Sequence, residues 1–95
     1  MITRIVKMKF KPENVEAFRE IFDQSKKMIS EFEGCLKLNL LKDSGDEFTY
    51  FTISLWNTEN DLNNYRDSYI FKNTWSKVKP LFSEKAEAWS LNIAD

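Results

Sequence analysis

The chain predicts an α+β fold: four strands in one sheet, with helices on one of its faces. Three observations predict it. Alternating apolar and polar residues open and close the chain, a long stretch of three- and four-residue apolar spacing follows the first alternation, and a turn-linked pair of apolar runs occupies the middle. A chain of 95 residues is the size of one domain, 1–95, with a single adequate core.

Each element has its own signal. Ile2 to Phe10 alternates apolar residues with Thr, Lys and Arg and reads as a strand. Pro12 then takes a first helical position, where its missing N–H is no loss. Val15, Phe18, Phe22, Ser25, Ile29 and Phe32 follow at helical spacing, and Gly34 closes the helix by accepting positive φ. Strands at Cys35 to Lys42 and Glu47 to Trp56 are joined by Asp43-Ser44-Gly45-Asp46, a hairpin turn. Thr58 caps a short helix from Glu59 to about Arg66, with Asp61 placed as its capping partner. Ser68 caps the next, whose stripe is Phe71, Trp75, Val78 and Phe82, and Pro80 kinks or stops it. Lys85 to Ile93 alternates again as the last strand. The order β-α-β-β-α-β is the ferredoxin-like split unit.

A four-residue turn would sort the central strands into two faces. Leu36, Leu38, Leu40, Thr49, Phe51, Ile53 and Leu55 share one, and Cys35, Lys37, Asn39, Leu41, Phe48, Tyr50, Thr52, Ser54 and Trp56 share the other. The second face carries too many aromatics for solvent and too many polar groups for a dry core. Both faces are therefore expected to be covered, one by helices and one by something else.

Composition excludes several classes. Fourteen basic and fifteen acidic residues leave a net charge of −1, and no stripe of Lys and Arg offers a footprint for nucleic acid. The uncharged run from Phe48 to Thr58 is too short to span a bilayer, and the first ten residues carry no apolar signal core. A single cysteine, Cys35, suits a reducing cytoplasm, and no cationic neighbour except Lys37 activates it. There is no histidine, which removes the usual base of nucleophilic sites, the commonest zinc ligand and the usual heme ligand. Neither a metal-spaced acidic set nor a glycine-rich phosphate loop is present, so no metal or cofactor is expected.

The stretch Trp56 to Trp75, WNTENDLNNYRDSYIFKNTW, resembles the signature region of the antibiotic biosynthesis monooxygenase family. That pattern runs Trp, a short helix ending in His, then Ser and Phe. Trp56, Ser68 and Phe71 match it, while Tyr65 stands where the His usually is. The resemblance extends over the whole chain. It implies a dimeric α/β barrel, in which the sheets of two copies pack face to face, and hence a homodimer as partner. It also implies a pocket for a small aromatic molecule and oxygenation without metal, flavin or heme.

The candidate site residues gather around this stretch. Tyr65 matches a position that the family uses at its pocket, and its phenol suits donation to a quinone or enolate oxygen. The competing reading is plain packing with the hydroxyl in solvent. Asn64 is taken with Tyr65 as a catalytic candidate, and Asn60, four residues earlier, shares its helix face. The bland alternative for both is a solvated helix surface. Trp56, Trp75 and Trp89 have the size to wall a flat ligand or to fill a core, and core is the stronger reading for Trp75 and Trp89. Tyr69 lies on the side of Tyr65. Asn39, with Tyr50 and Thr52 in the expected register, lines either a cavity or a hydrogen-bonded seam. Arg4 points toward a sheet face, to clamp an oxyanion or to pair with an acid at the seam.

Three functions follow from different classes. The first is a cofactor-independent monooxygenase of quinol- or polyketide-like aromatics, in which the substrate anion itself reduces oxygen. The second is a non-catalytic small-molecule binder on the same dimeric fold. The third, heme degradation, ranks last because such relatives use a helix His on heme iron and an adjacent Trp, and Trp75 and Tyr65 at the corresponding positions keep no imidazole ligand.

Overall fold

A computed structural model describes all 95 residues. β1 (Ile2–Lys9) is followed by a 3-10 turn at Pro12–Asn14 and by α1 (Val15–Ser30). β2 (Cys35–Lys42) and β3 (Thr49–Trp56) form the hairpin. α2 (Glu59–Arg66) and α3 (Tyr69–Val78) come next, then a 3-10 turn at Lys79–Leu81 and β4 (Glu87–Leu91). The strands lie in the order β2-β3-β1-β4 with every neighbouring pair antiparallel. This is the ferredoxin-like α+β arrangement expected from the chain order. No helix is long and apolar enough to cross a membrane.

Local chemistry accounts for the element ends. Thr58 accepts from the Asp61 backbone N–H at 3.0 Å, and its hydroxyl donates back to the Asp61 carboxylate at 2.9 Å. The reciprocal bond therefore runs through the hydroxyl and leaves the Thr58 amide out. Ser68 accepts from the Phe71 N–H at 3.2 Å and donates to the Tyr65 carbonyl at 2.6 Å. One hydroxyl thus starts α3 and ties it to the end of α2. Pro80 falls in the turn that ends α3, as its missing donor requires.

The apolar stripe of α1, Phe18, Phe22, Ser25 and Ile29, is buried against the sheet. Met8, Phe10, Phe18, Phe22, Tyr50 and Val78 form the larger core, in which Phe10 stacks on Phe18 at 4.1 Å. Burying each such side chain contributes about 2 kcal/mol. A smaller core of Ile2, Trp56 and Leu62 lies at the other end, packed by Phe32, Cys35 and Tyr65.

The hairpin departs from the expected register. The connection occupies residues 43–48, so Lys42 pairs with Tyr50 and not with Glu47. The cause is local. The Asp43 carboxylate accepts from the amides of Gly45 and Asp46, and Asp46 accepts from the Phe48 amide and the Thr49 hydroxyl. These bonds hold Asp46 below the ordinary carboxylate range, the Phe48 N–H contributing most. A shift of three positions is odd, so it turns β2 over relative to β3. Leu38 and Leu40 consequently share a face with Ser54 and Thr52, and Asn39 stands opposite Ile53. The expected grouping of Asn39 with Tyr50 and Thr52 is thereby overturned. A bulge between Cys35 and Lys37 returns Cys35 to the Trp56 side.

The helices cover the face carrying Ile2, Arg4, Val6, Met8, Tyr50, Thr52, Ser54 and Trp56. The reverse face places Ile5, Leu41, Phe51, Ile53, Leu55, Trp89 and Leu91 in register, with Leu41, Trp89 and Leu91 exposed. No element of the chain covers it.

Gly34 joins the layers at a point that admits no side chain. Its φ is +86°, its carbonyl accepts from the Asn57 amide at 2.8 Å, and a Cβ there would collide with Cβ of Asp61. Gly34→Ala is expected to cost about 2 kcal/mol or more in urea unfolding. Adding Asp61→Ala should not restore native stability, because the colliding Asp61 Cβ remains and the left-handed φ still strains the alanine.

Candidate ligand cavity

α3 lies beside α1, held there by a Thr74–Ser25 hydroxyl contact at 3.4 Å, and does not close onto the sheet beneath it. The gap is a cavity of about 330 Å³. Its floor is Arg4, Val6 and Met8 of β1, Thr52 and Ser54 of β3, Leu38, Ala86 and Ala88. Its walls and roof are Trp56, Leu62, Tyr65, Phe71, Thr74, Trp75 and Val78, with Phe18, Phe22 and Ile29 from α1. Fourteen of the twenty lining residues are hydrophobic, and a volume of this size takes a small ring system.

Trp56 anchors the site. It is 0% exposed, and its indole N–H donates to Ser54 Oγ at 2.9 Å. Tyr65 stacks on it at 5.0 Å with an interplanar angle of 25°. Phe32 and Phe71 meet the Tyr65 ring edge-on at 5.5 and 5.3 Å, and Phe71 stacks on Trp75 at 5.9 Å. The aromatic wall is therefore continuous from Phe32 to Trp75, each contact adding about 1 kcal/mol beyond its buried area.

The Tyr65 hydroxyl forms no hydrogen bond within the chain. No buried side-chain oxygen or nitrogen lacks a partner, so this hydroxyl meets accessible space. Burial, and then the nearby Cys35 sulfur, raises its pKa far above the ordinary tyrosine value. Tyr65 is thus a neutral donor at physiological pH and not a base. Burial also raises Cys35, leaving it an unreactive thiol. Groups able to polarise a ligand are Tyr65, Ser54, Thr52 and two guanidiniums, Arg4 and Arg66. No cluster of three or more His, Cys, Asp or Glu side chains is placed to hold a metal ion.

Of the residues singled out from sequence, Tyr65, Trp56, Trp75, Arg4 and Thr52 line this cavity. Asn60 and Asn64 lie exposed on α2 and do not reach it. Tyr69 is 79% exposed at the start of α3 and does not line the cavity. Asn39 sits across the sheet, for the parity reason given above. Arg66, Ser54 and Thr74 were not singled out. The alternation Arg4–Val6–Met8 against Ser54–Thr52–Tyr50 is the signal that places the floor once the register is known.

Comparison with known proteins decides the family. The sequence model of the antibiotic biosynthesis monooxygenase family matches residues 1–76, from β1 into α3. The chain belongs to this family. No curated protein sequence matches at a significant level. Among solved structures, an antibiotic biosynthesis monooxygenase superposes with a TM-score of 0.93 at 15% identity, covering 100% of both chains. A conserved protein from Methanosarcina mazei Go1 gives 0.90 at 20% identity, covering 96% of this chain and 91% of its own. A Mycobacterium tuberculosis protein gives 0.91 at 17%, covering 99% and 95%. At such identities these likenesses establish the family fold, including β4 beyond the matched residues.

The Tyr65 environment makes a pH prediction. Its folded pKa lies above the unfolded value of about 10, so the unfolded chain releases this proton first. Its contribution to stability is complete below pH 10 and is lost as pH rises beyond that. Tyr65→Phe should therefore flatten the alkaline fall in urea-unfolding free energy relative to the native chain, with both curves parallel near neutrality.

Proposed function

We propose that this antibiotic biosynthesis monooxygenase family member is a homodimeric, cofactor-independent oxygenase of a small phenolic or hydroquinone-like aromatic. The observation that carries the reading is an aromatic-walled cavity lined by the stacked Trp56 and Tyr65, the Tyr65 phenol being neutral and without a hydrogen-bond partner in the chain. For a phenol whose keto tautomer has a ring CH2, loss of one proton gives an electron-rich anion. That anion passes one electron to O2, and the resulting pair joins as a hydroperoxide on the same carbon. Loss of water leaves a carbonyl, so one oxygen atom ends in the product and the other in water. Such a sequence asks the protein for a dry pocket, orientation of the ring and a donor to the developing oxyanion. Trp56, Phe71 and Trp75 supply the walls, and Tyr65 the donor. Asn64 and Asn60 remain surface residues in this scheme, and Tyr69 and Asn39 take no part in it.

The dimer is proposed from the uncovered sheet face. Ile5, Phe51, Ile53 and Leu55 form a contiguous apolar strip flanked by Trp89 and Leu91, of the kind that marks an interaction surface. A second copy laid on it gives the barrel that the family resemblance implies. The free, protonated Cys35 suits a cytoplasmic setting.

A second reading, a binding protein without turnover, is favoured by one feature: no imidazole lines the cavity, and no acid is aimed into it as a base. The heme-degradation reading gains nothing from a cavity in which Trp75 and Tyr65 pack as wall.

Oxygen consumption with a panel of hydroquinones and anthrone-type phenols separates the readings. Turnover above buffer is expected, with Tyr65→Phe lowering kcat about a hundredfold at similar KM. Binding with rates no faster than buffer leaves the binder. For the assembly, sedimentation at micromolar concentration should give a dimer, and Ile53→Asp a monomer. A compact native monomer removes the proposed assembly.

A further inference from the structure

Two positive charges line an otherwise apolar cavity without an acidic partner. Arg4 rises from β1 on the helix-covered face and donates to Ser90 Oγ at 2.9 Å across the β1–β4 pair. Arg66 closes the last turn of α2, one residue after Tyr65. Both line the cavity together with Tyr65, Ser54 and Thr52. The chain has fifteen acidic residues, yet its ion pairs are those of Lys9 with Asp46 and Glu84, at the far end of the sheet. Glu87, the one acid along the cavity, pairs in register with Lys7, and strand alternation carries its side chain to the reverse face. Burial, and then the charge of Arg66, lowers the pKa of Arg4, so the two guanidiniums are near enough to repel.

Like charges set together at a half-buried rim are unfavourable unless something of opposite sign is shared between them. A guanidinium presents its donors as a planar fork that matches two oxygens of one acid group. We propose that Arg4 and Arg66 form an anion-binding rim and that the ligand is an aromatic acid, its rings against Trp56, Phe71 and Trp75 and its carboxylate between the two arginines. This rests on the reading of the cavity as a ligand site and narrows the substrate class.

The test is calorimetric titration of two matched probes, 1-hydroxy-2-naphthoate and 1-naphthol, which differ by the carboxylate alone. The native chain should bind the naphthoate about tenfold more tightly at low salt. That preference should fall toward unity in about 1 M NaCl and in Arg4→Gln/Arg66→Gln, with 1-naphthol affinity unchanged. Arg66→Gln alone, on an exposed helix end, tests the rim without risk to the fold, and Arg4→Lys should keep part of the preference. Equal affinity for the two probes, or a preference that survives in the double variant, overturns the anion rim while leaving the cavity as a ligand site. Failure of both probes to bind overturns the rim and the ligand-site reading together.

Discussion

The face-to-face contact of Tyr65 with Trp56 is the interaction on which the rest of the site depends. Trp56 ends the central hairpin strand, fully enclosed, and its indole N–H is spent on Ser54 two residues back. A large ring fixed in that way gives α2 one place to sit. Leu62 enters the small core beside it, Tyr65 lies flat on it, and Phe32 from the end of α1 closes the edge. The Ser68 hydroxyl then converts the position of α2 into the direction of α3, because it holds the Tyr65 carbonyl and the Phe71 amide of the next helix's first turn together. Aromatic packing at one strand end thus sets the roof over the sheet some ten residues later.

Caps and glycine were legible in the sequence because their chemistry is local. Thr58, Ser68 and Pro80 each act within a few residues of themselves, and each is found where that chemistry puts it, whereas Gly34 has the expected positive φ but lies three residues beyond the Glu31 cap that ends α1. Strand parity was not legible. It depends on the length of one loop, and Asp43-Ser44-Gly45-Asp46 looks complete as a turn. What lengthens it is the second aspartate, which turns forward to Phe48 and Thr49 and so forms a second capped bend. Because Leu38, Leu40, Phe51 and Ile53 are all apolar, either parity buries a credible set, and hydrophobicity alone does not choose.

The same distinction explains the site. Tyr65, Trp56 and Trp75 reach the cavity because large aromatics near a helix junction have few other places to go. Asn60, Asn64 and Tyr69 are near it in sequence, but α2 brings Leu62, Tyr65 and Arg66 to the cavity and leaves its amides to water. Arg4 was visible as a charge on a strand face. Its neighbour Arg66 was not, since a basic residue in the last turn of a helix has an adequate explanation in the helix dipole. Only the assembled sheet and roof put the two along one cavity.

Why the gap stays open is a question of how α3 is held. One end hangs from Ser68. The other is fastened to the end of β1, where the Lys11 amide donates to the Leu81 carbonyl at 3.3 Å, the Ser83 amide donates to the Lys9 carbonyl at 2.9 Å, and Phe82 rests on Phe10 at 5.3 Å. Between these two supports α3 spans the sheet, stiffened by the near-parallel Phe71 and Trp75 rings, whose interplanar angle is 9°. The residues beneath the span include small ones, Val6, Thr52, Ser54, Ala86 and Ala88, beside the longer Arg4, Met8 and Leu38. Large side chains at the supports and small ones under the span make a void that the roof cannot relieve by sinking, because both fastenings would have to break. An interior that only needed stability would fill such a space, since unfilled volume forfeits dispersion contacts. Aromatic walls, a phenol with no hydrogen-bond partner in the chain and two guanidiniums without an acidic partner are the features on which the proposed ligand site rests.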